Sequence, residues 1–229
     1  MAETKKYYLL VAQIPNWGGG DEPQIPNDEI WYTSTDGNVV TPNNTNAFNA
    51  KIITNNYSNG KGVIKFDGDV TYIGSSAFNG CTGITSVTIP NSVTEIREYA
   101  FNGCAGLTSI AIPDSVTRIG DMTFSRCTGI TSVTIGNSVT SIGGSAFYNC
   151  KSLTSITIPN SVTRIGRAAF NGCAGITSVK VESITPPKID LNAFYNCTAL
   201  TEILVPIASV EAYKTTTIWS DYKDKIKGF

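Results

Sequence analysis

Six cysteines, no histidine and a thin scatter of arginines and carboxylates bound the chemistry open to this sequence. Cys81, Cys104, Cys127, Cys150, Cys173 and Cys197 follow one another at steps of 23 or 24 residues. In another setting such thiols would form disulfides, hold a metal or carry electrons. The lack of histidine removes the commonest general base, the usual serine and cysteine triads and most zinc sites. There is no G-x-S-x-G elbow or Gly-rich phosphate loop, and Gly18-Gly19-Gly20 lacks the helix that would make it an anion site. Asp and Glu do not recur as a close pair. No enzyme, cofactor or metal is expected. What remains is a set of hydroxyls and charges at repeating positions, which is the chemistry of a binding surface.

The spacing of those positions comes from a repeat. Ser138–Asn160 reads SVTSIGGSAFYNCKSLTSITIPN, and Ser115–Asn137 and Ser161–Ser183 are near copies of it. Phe78, Phe101, Phe124, Phe147 and Phe170 step by 23, with Phe194 24 further on. A fixed period of that size marks a solenoid, in which each unit buries its apolar face on its neighbours. Within a unit Leu153-x-x-Ile156-x-Ile158 has the spacing of a leucine-rich-repeat strand, with Ser155 and Thr157 facing outward between them. Val139 and Ile142 anchor a second, shorter extended piece. Gly143–Phe147 is expected to turn and then make one helical turn. Pro159-Asn160 closes the strand.

Stacking such units lines their outward positions up in columns. One column of the main strand is Ser86, Ser109, Ser132, Ser155, Ser178 and Glu202, and two residues on come Thr88, Ala111, Thr134, Thr157, Lys180 and Leu204. Thr85, Thr108, Thr131, Thr154, Thr177 and Thr201 precede them. This face is small, polar and uncharged until its C-terminal end, and it lacks the aromatic and arginine anchors of protein hot spots. Ice-binding solenoids also present Ser-x-Thr ladders, but Ala111, Lys180 and Glu202 break this one. The shorter segment varies more. Tyr72, Glu95, Arg118, Ser141 and Arg164 share one position, with Arg97, Asp121 and Arg167 close by. Both faces are candidate binding surfaces, against the alternative of an ordinary solvated surface.

The same periodicity argues against disulfides. Equivalent residues in stacked coils lie about 4.8 Å apart with parallel Cα–Cβ vectors, whereas a disulfide needs converging Cβ atoms roughly 3.5–4.5 Å apart. The expectation is a ladder of buried free thiols acting as small hydrophobes, with a metal ladder or a redox role as the alternative.

The motif S-V-T-x-I-G-x-x-A-F-x-x-C-x-x-L-T-S-I-T-I-P-N, quoted from Ser138 to Asn160, resembles the BspA-like leucine-rich repeat family of bacterial surface proteins. The resemblance runs from about Asp69 to Ile207 and implies surface display and adhesion. It also implies a cell-surface or extracellular setting, and a protein or glycan partner on a host or neighbouring cell. The fold class is then an α/β repeat protein, mainly β: a leucine-rich-repeat solenoid with an N-terminal β-meander cap and a C-terminal helical cap.

Four segments are expected. Residues 1–27 form an arm and linker, with a strand at Tyr7–Ala12, no signal-peptide pattern and an open-looking Trp17–Pro23 stretch. The arm offers self-association, and with it an alternative role for the chain as a structural or receptor-binding component of a larger particle. Residues 28–68 form the β cap, where Asp36-Gly37 and Ser58-Asn59-Gly60-Lys61 read as two hairpin turns. Residues 69–207 hold six repeats, and 208–229 a helical cap opened by Ser209 as N-cap and sealed by Tyr213, Trp219, Tyr222 and Ile226. A net charge of −1 and a pI near 5.5 carry no nucleic-acid footprint, and no apolar run approaches the roughly 18 residues a bilayer span requires.

Overall fold

The computed structural model describes residues 25–229. The strand expected at Tyr7–Ala12 and the Trp17–Pro23 linker lie outside the described residues. The cap begins with β1 (Glu29–Ser34), β2 (Ile52–Ser58) and β3 (Lys61–Phe66). Each unit then contributes a short and a longer strand. These are β4 (Tyr72–Ile73) with β5 (Ile84–Thr88), β6 (Glu95–Ile96) with β7 (Ser109–Ala111), and β8 (Arg118–Ile119) with β9 (Ser132–Thr134). Units four to six supply β10 (Ser141–Ile142) with β11 (Ser155–Ile158), β12 (Arg164–Ile165) with β13 (Ser178–Val181), and β14 (Lys188–Ile189) with β15 (Glu202–Val205). The chain ends in helix α1 (Val210–Thr215), a 3-10 helix over Trp219–Lys225 and β16 (Ile226–Gly228).

The seven apolar positions of the repeat all point inward. Val139, Ile142, Phe147, Cys150, Leu153, Ile156 and Ile158 are buried, while Thr157 between the last two is exposed. The six Phe rings form one stack, with centroids 5.1 to 5.4 Å apart and planes within 13° of parallel. At each end the stack is closed by a ring turned across it. Phe48 meets Phe78 at 70°, and Tyr222 meets Phe194 at 87°. Edge-to-face contact is one of the arrangements aromatic pairs favour.

Three backbone ladders join the coils. The short strands make one unbroken parallel sheet, in the order β14-β12-β10-β8-β6-β4. The longer strands pair in pieces: β1 with β5, β7 with β9, and β11-β13-β15-β16. The third ladder is in the turns. Ser76, Phe78 and Gly80 donate their N–H groups to the carbonyls of Glu98, Ala100 and Asn102 in the next coil, and later coils repeat this pattern. Two left-handed residues per coil aim those groups: Ser76 and Gly80, Tyr99 and Gly103, Met122 and Arg126, Ser145 and Asn149, Ala168 and Gly172, Asn192 and Asn196. The single helical turn expected after Gly143 is therefore replaced by tight turns with left-handed residues at Ser145 and Asn149. A helical turn would direct its N–H groups within its own coil, whereas here those of Ser145, Phe147 and Asn149 serve the neighbour while those of Ala146, Tyr148 and Cys150 stay within the coil.

Threonine hydroxyls reinforce the stack. Those of Thr108, Thr131, Thr177 and Thr201 donate at 3.0–3.2 Å to the threonine carbonyl one coil earlier. Thr94, Thr117, Thr140 and Thr163 do the same on the short-strand side at 3.0–3.3 Å.

The caps correct three expectations. The Asp36-Gly37 turn joins no hairpin, because β1 sits between β3 and β5 and pairs antiparallel with both. Val39–Thr41 instead lies over Tyr32, whose hydroxyl accepts the Val40 N–H at 3.1 Å and donates to Asn55 Oδ1 at 2.9 Å. The Tyr32 ring covers Gly62, where any Cβ would run into it. The second turn does join a hairpin, β2–β3. At the other end Ser209 precedes α1, but its hydroxyl makes no cap bond and is buried without a partner. Tyr213, Trp219 and Ile226 are buried and Tyr222 packs partly buried against them. The Trp219 Nε1–H donates to the Pro187 carbonyl at 2.8 Å. Finally, β16 adds a parallel strand beside β15, which composition did not announce.

Candidate binding groove on the short-strand face

The core fixes most positions of each short strand, since Val139 and Ile142 and their equivalents face inward. One position per strand is left free, and the parallel register aligns it as Tyr72, Glu95, Arg118, Ser141, Arg164 and Lys188. Charges from the following turn reach into the same column. Arg97 Nε bonds Glu95 Oε2 at 3.1 Å, while its guanidinium lies 3.7 Å from the Tyr72 ring centroid. Arg164 bonds Asp190 Oδ2 at 2.8 Å. Arg97, Glu95 and Arg164 are more than a third exposed, so these pairs orient side chains rather than stabilise the fold; such pairs contribute about 0.2–1 kcal/mol. The Glu98 carboxyl sits below its usual value, held there chiefly by its own backbone N–H against a cost of desolvation. The Ser75 hydroxyl, Arg118 and Arg97 add to the effect.

Variation at these positions opens a groove of about 480 Å³ across units three to six. Arg118 and Asp121 form one wall, and Arg164, Arg167 and Asp190 the other. Unit four between them contributes Ser141, Gly143, Gly144 and the buried Ile142, so the floor is largely backbone. Gly143 is required by close stacking, because a Cβ there would lie 2.6 Å from the Asp121 N and side-chain Oδ1. Gly144 is not under that constraint: a Cβ would meet nothing nearer than the Arg167 carbonyl at 3.5 Å. Its N–H donates to Asp121 Oδ1 at 2.7 Å. A smaller groove of about 170 Å³ lies one step along, between Glu95, Arg97, Glu98 and Arg118.

The longer-strand face is put together differently. Thr33 of the cap bonds the hydroxyls of Thr85 and Ser86 at 2.6 and 2.7 Å, and Thr88 lies opposite Trp31 in register. Lys180 is held by Glu182 at 2.9 Å and by the Phe229 ring, and Glu202 by Lys227 at 3.2 Å. Ser109, Ser132, Thr134, Ser155 and Thr157 stack in register without forming a groove wall in either of the two cavities described. The structure thus brings Arg118, Ser141 and Arg164 into one concavity, joined by Asp121 and Arg167. It leaves Tyr72 and Glu95 further along the column, and sets the hydroxyl columns elsewhere. Asp190 and Gly144 were missed as members of the groove, and Lys188 as the last residue of the column. Asp190 carried a signal, since it stands where Gly120, Gly143 and Gly166 stand in the preceding coils.

The cysteine ladder is confirmed for five thiols and corrected for one. Cys104, Cys127, Cys150, Cys173 and Cys197 are buried, while Cys81 is half-buried under the cap loop, its Sγ 3.5 Å from the Thr41 carbonyl. All six are free. Among the described residues no three His, Cys, Asp or Glu side chains are grouped to hold a metal ion, and no helix is long and apolar enough to cross a membrane.

The sequence pattern of the BspA type leucine rich repeat region matches this chain in six copies, over residues 51–177 and 127–218. The chain belongs to that family. Among solved structures this BspA-type repeat protein is similar to a leucine rich cell surface protein from Faecalibacterium prausnitzii. The two share 31% identity at a TM-score of 0.50, over 63% of this chain and 36% of the other. It is also similar to a leucine rich repeat protein of T. pallidum, at 28% identity and a TM-score of 0.56, over 72% of this chain and 82% of the other. The chain thus spans about a third of the F. prausnitzii protein's length. A search of curated protein sequences finds no match.

Proposed function

We propose that this BspA-type repeat protein is a non-catalytic adhesin displayed at a bacterial cell surface. It engages a protein or glycan on a host or neighbouring cell through the face built on β4 to β14. One observation carries the reading. Where the fold leaves a position free, the short-strand column carries charge and opens a groove, whereas the longer-strand columns are flat and tied at both ends by the caps. Ligand sites are concave with a few well-placed polar groups, and solenoids offer them on extended faces. The cell surface protein from F. prausnitzii supports the setting.

The test is attachment of the purified full chain to cultured epithelial and bacterial cells. Arg118→Glu with Arg167→Glu should reduce attachment at least tenfold, and Thr134→Ala with Thr157→Ala should leave it unchanged. The opposite pattern would move the binding face to the longer strands. No attachment by the unaltered chain would overturn the adhesin reading.

A further inference from the structure

We infer that the groove over units three to six binds an acidic monosaccharide unit, taking its carboxylate between Arg118 and Arg167. The inference rests on the short-strand face being the binding face, and adds the chemistry of what is bound.

The charges point to a single anionic group. Three guanidiniums and two carboxylates line the groove, and Asp190 is already engaged by Arg164 at 2.8 Å. Among the described residues Arg118 and Arg167 form no ion pair within 4.0 Å. A planar guanidinium with two parallel N–H donors matches a carboxylate better than any other side chain does.

The remainder of the groove suits a hydroxylated ligand. Ile142 is the one apolar side chain in the lining, and it is buried. A protein anchor needs an apolar pocket to fill, and this groove has none. A sugar instead needs donors and acceptors around its ring. Asp121 has one oxygen on the Gly144 N–H and leaves the other open, and the Ser141 hydroxyl stands between the arginine walls. The walls are two coils apart, about 10 Å at the spacing of stacked strands. A volume of about 480 Å³ falls in the range of small-ligand sites. The Asp121 charge also weighs against densely anionic ligands, which would meet it without enough hydroxyls to engage it.

The test is titration of the full chain with D-glucuronate, N-acetylneuraminate, D-glucose, sulfate and acetate, followed by NMR or calorimetry. The expected result is saturable binding of one of the two acidic sugars in the millimolar range, with glucose, sulfate and acetate each at least tenfold weaker. Arg118→Ala and Arg167→Ala should each weaken it about tenfold. Gly144→Gln, which fills the groove and removes no charge, should abolish it, and Thr157→Ala should not change it. Equal affinity for acetate or sulfate would mean general anion attraction and overturn the inference, as would binding that survives Gly144→Gln. If neither acidic sugar binds, while cell attachment still depends on Arg118 and Arg167, the sugar inference fails and the binding face stands. If attachment too is indifferent to those arginines, both fail.

Discussion

Each cysteine from Cys104 onward donates its S–H to the carbonyl of the phenylalanine one coil back. The pairs are Cys104 to Phe78, Cys127 to Phe101, Cys150 to Phe124, Cys173 to Phe147 and Cys197 to Phe170, at 3.0 to 3.2 Å. The thiols are therefore more than small hydrophobes. Each supplies a second donor to a carbonyl that already accepts the N–H of its own coil's cysteine, as Cys104 N does to Phe101. A buried acceptor gains from such a partner, though a thiol is a weak donor. Half-buried Cys81 makes its contact with the cap loop instead. A thiol reagent added to the native chain is expected to label Cys81 alone, with the other five reacting only in denaturant. Peptide mapping after timed alkylation checks this, and early labelling at Cys127 or Cys150 would contradict it. The columns of Phe and Cys were legible in the sequence because their side chains repeat. The bond between them was not, because its acceptor is a backbone atom of another coil.

At the scale of elements the turn is the least conventional piece. A left-handed conformation costs a non-glycine residue about 1–2 kcal/mol, and every coil adopts it twice. The second site announces itself, being glycine or asparagine in five units out of six, with Arg126 the exception. The first holds Ser76, Tyr99, Met122, Ser145, Ala168 and Asn192, a set with no shared turn preference, and in the first five of these the N–H bonds the next coil. That is why the sequence reads as a helical turn there. Ala168→Gly should relieve the conformational cost and raise stability by about 0.5–1 kcal/mol in urea unfolding. A loss of stability would show that the Ala168 methyl makes packing worth more than the strain it carries. The groove shares this mixed legibility. Its arginines stand out as variation within a fixed motif, while its floor depends on Gly144 being glycine by choice and Gly143 by necessity. That difference appears only when coils are stacked.

For the whole molecule, the buried thiols couple stability to pH. Burial pushes Cys127 and Cys197 up to about 12 and raises Cys104 and Cys150 above the ordinary value of 9.0. Below pH 9 both the folded and unfolded chains keep these protons, so the contribution is fully present. Above it the unfolded chain ionises first, and stability falls until the folded thiols ionise as well. Unfolding midpoints in urea should hold steady from pH 6 to 8 and drop progressively from about pH 9. Each such thiol contributes about 1.4 kcal/mol per pH unit. A flat profile to pH 10.5 would refute this, and Cys127→Ala should lessen the slope. The overall architecture was legible because a periodic core has few solutions, whereas the caps, which occur once, offered no repetition to read. The turn ladder carries a consequence at this scale too. Its amides all donate toward the C-terminal end, whereas those of Thr94, Gly120, Thr140 and Gly166 on the short-strand side donate toward the N-terminal end, so peptide dipoles of about 3.5 D run in opposite senses there. At the first coil the carbonyls of Ser75 and Ala77 meet donors from Asn44, and at the last the C-terminal cap sets Trp219 and Tyr222 against Phe194. The turn edge is thus a polar seam, opposed by the amides of the short strands beside it.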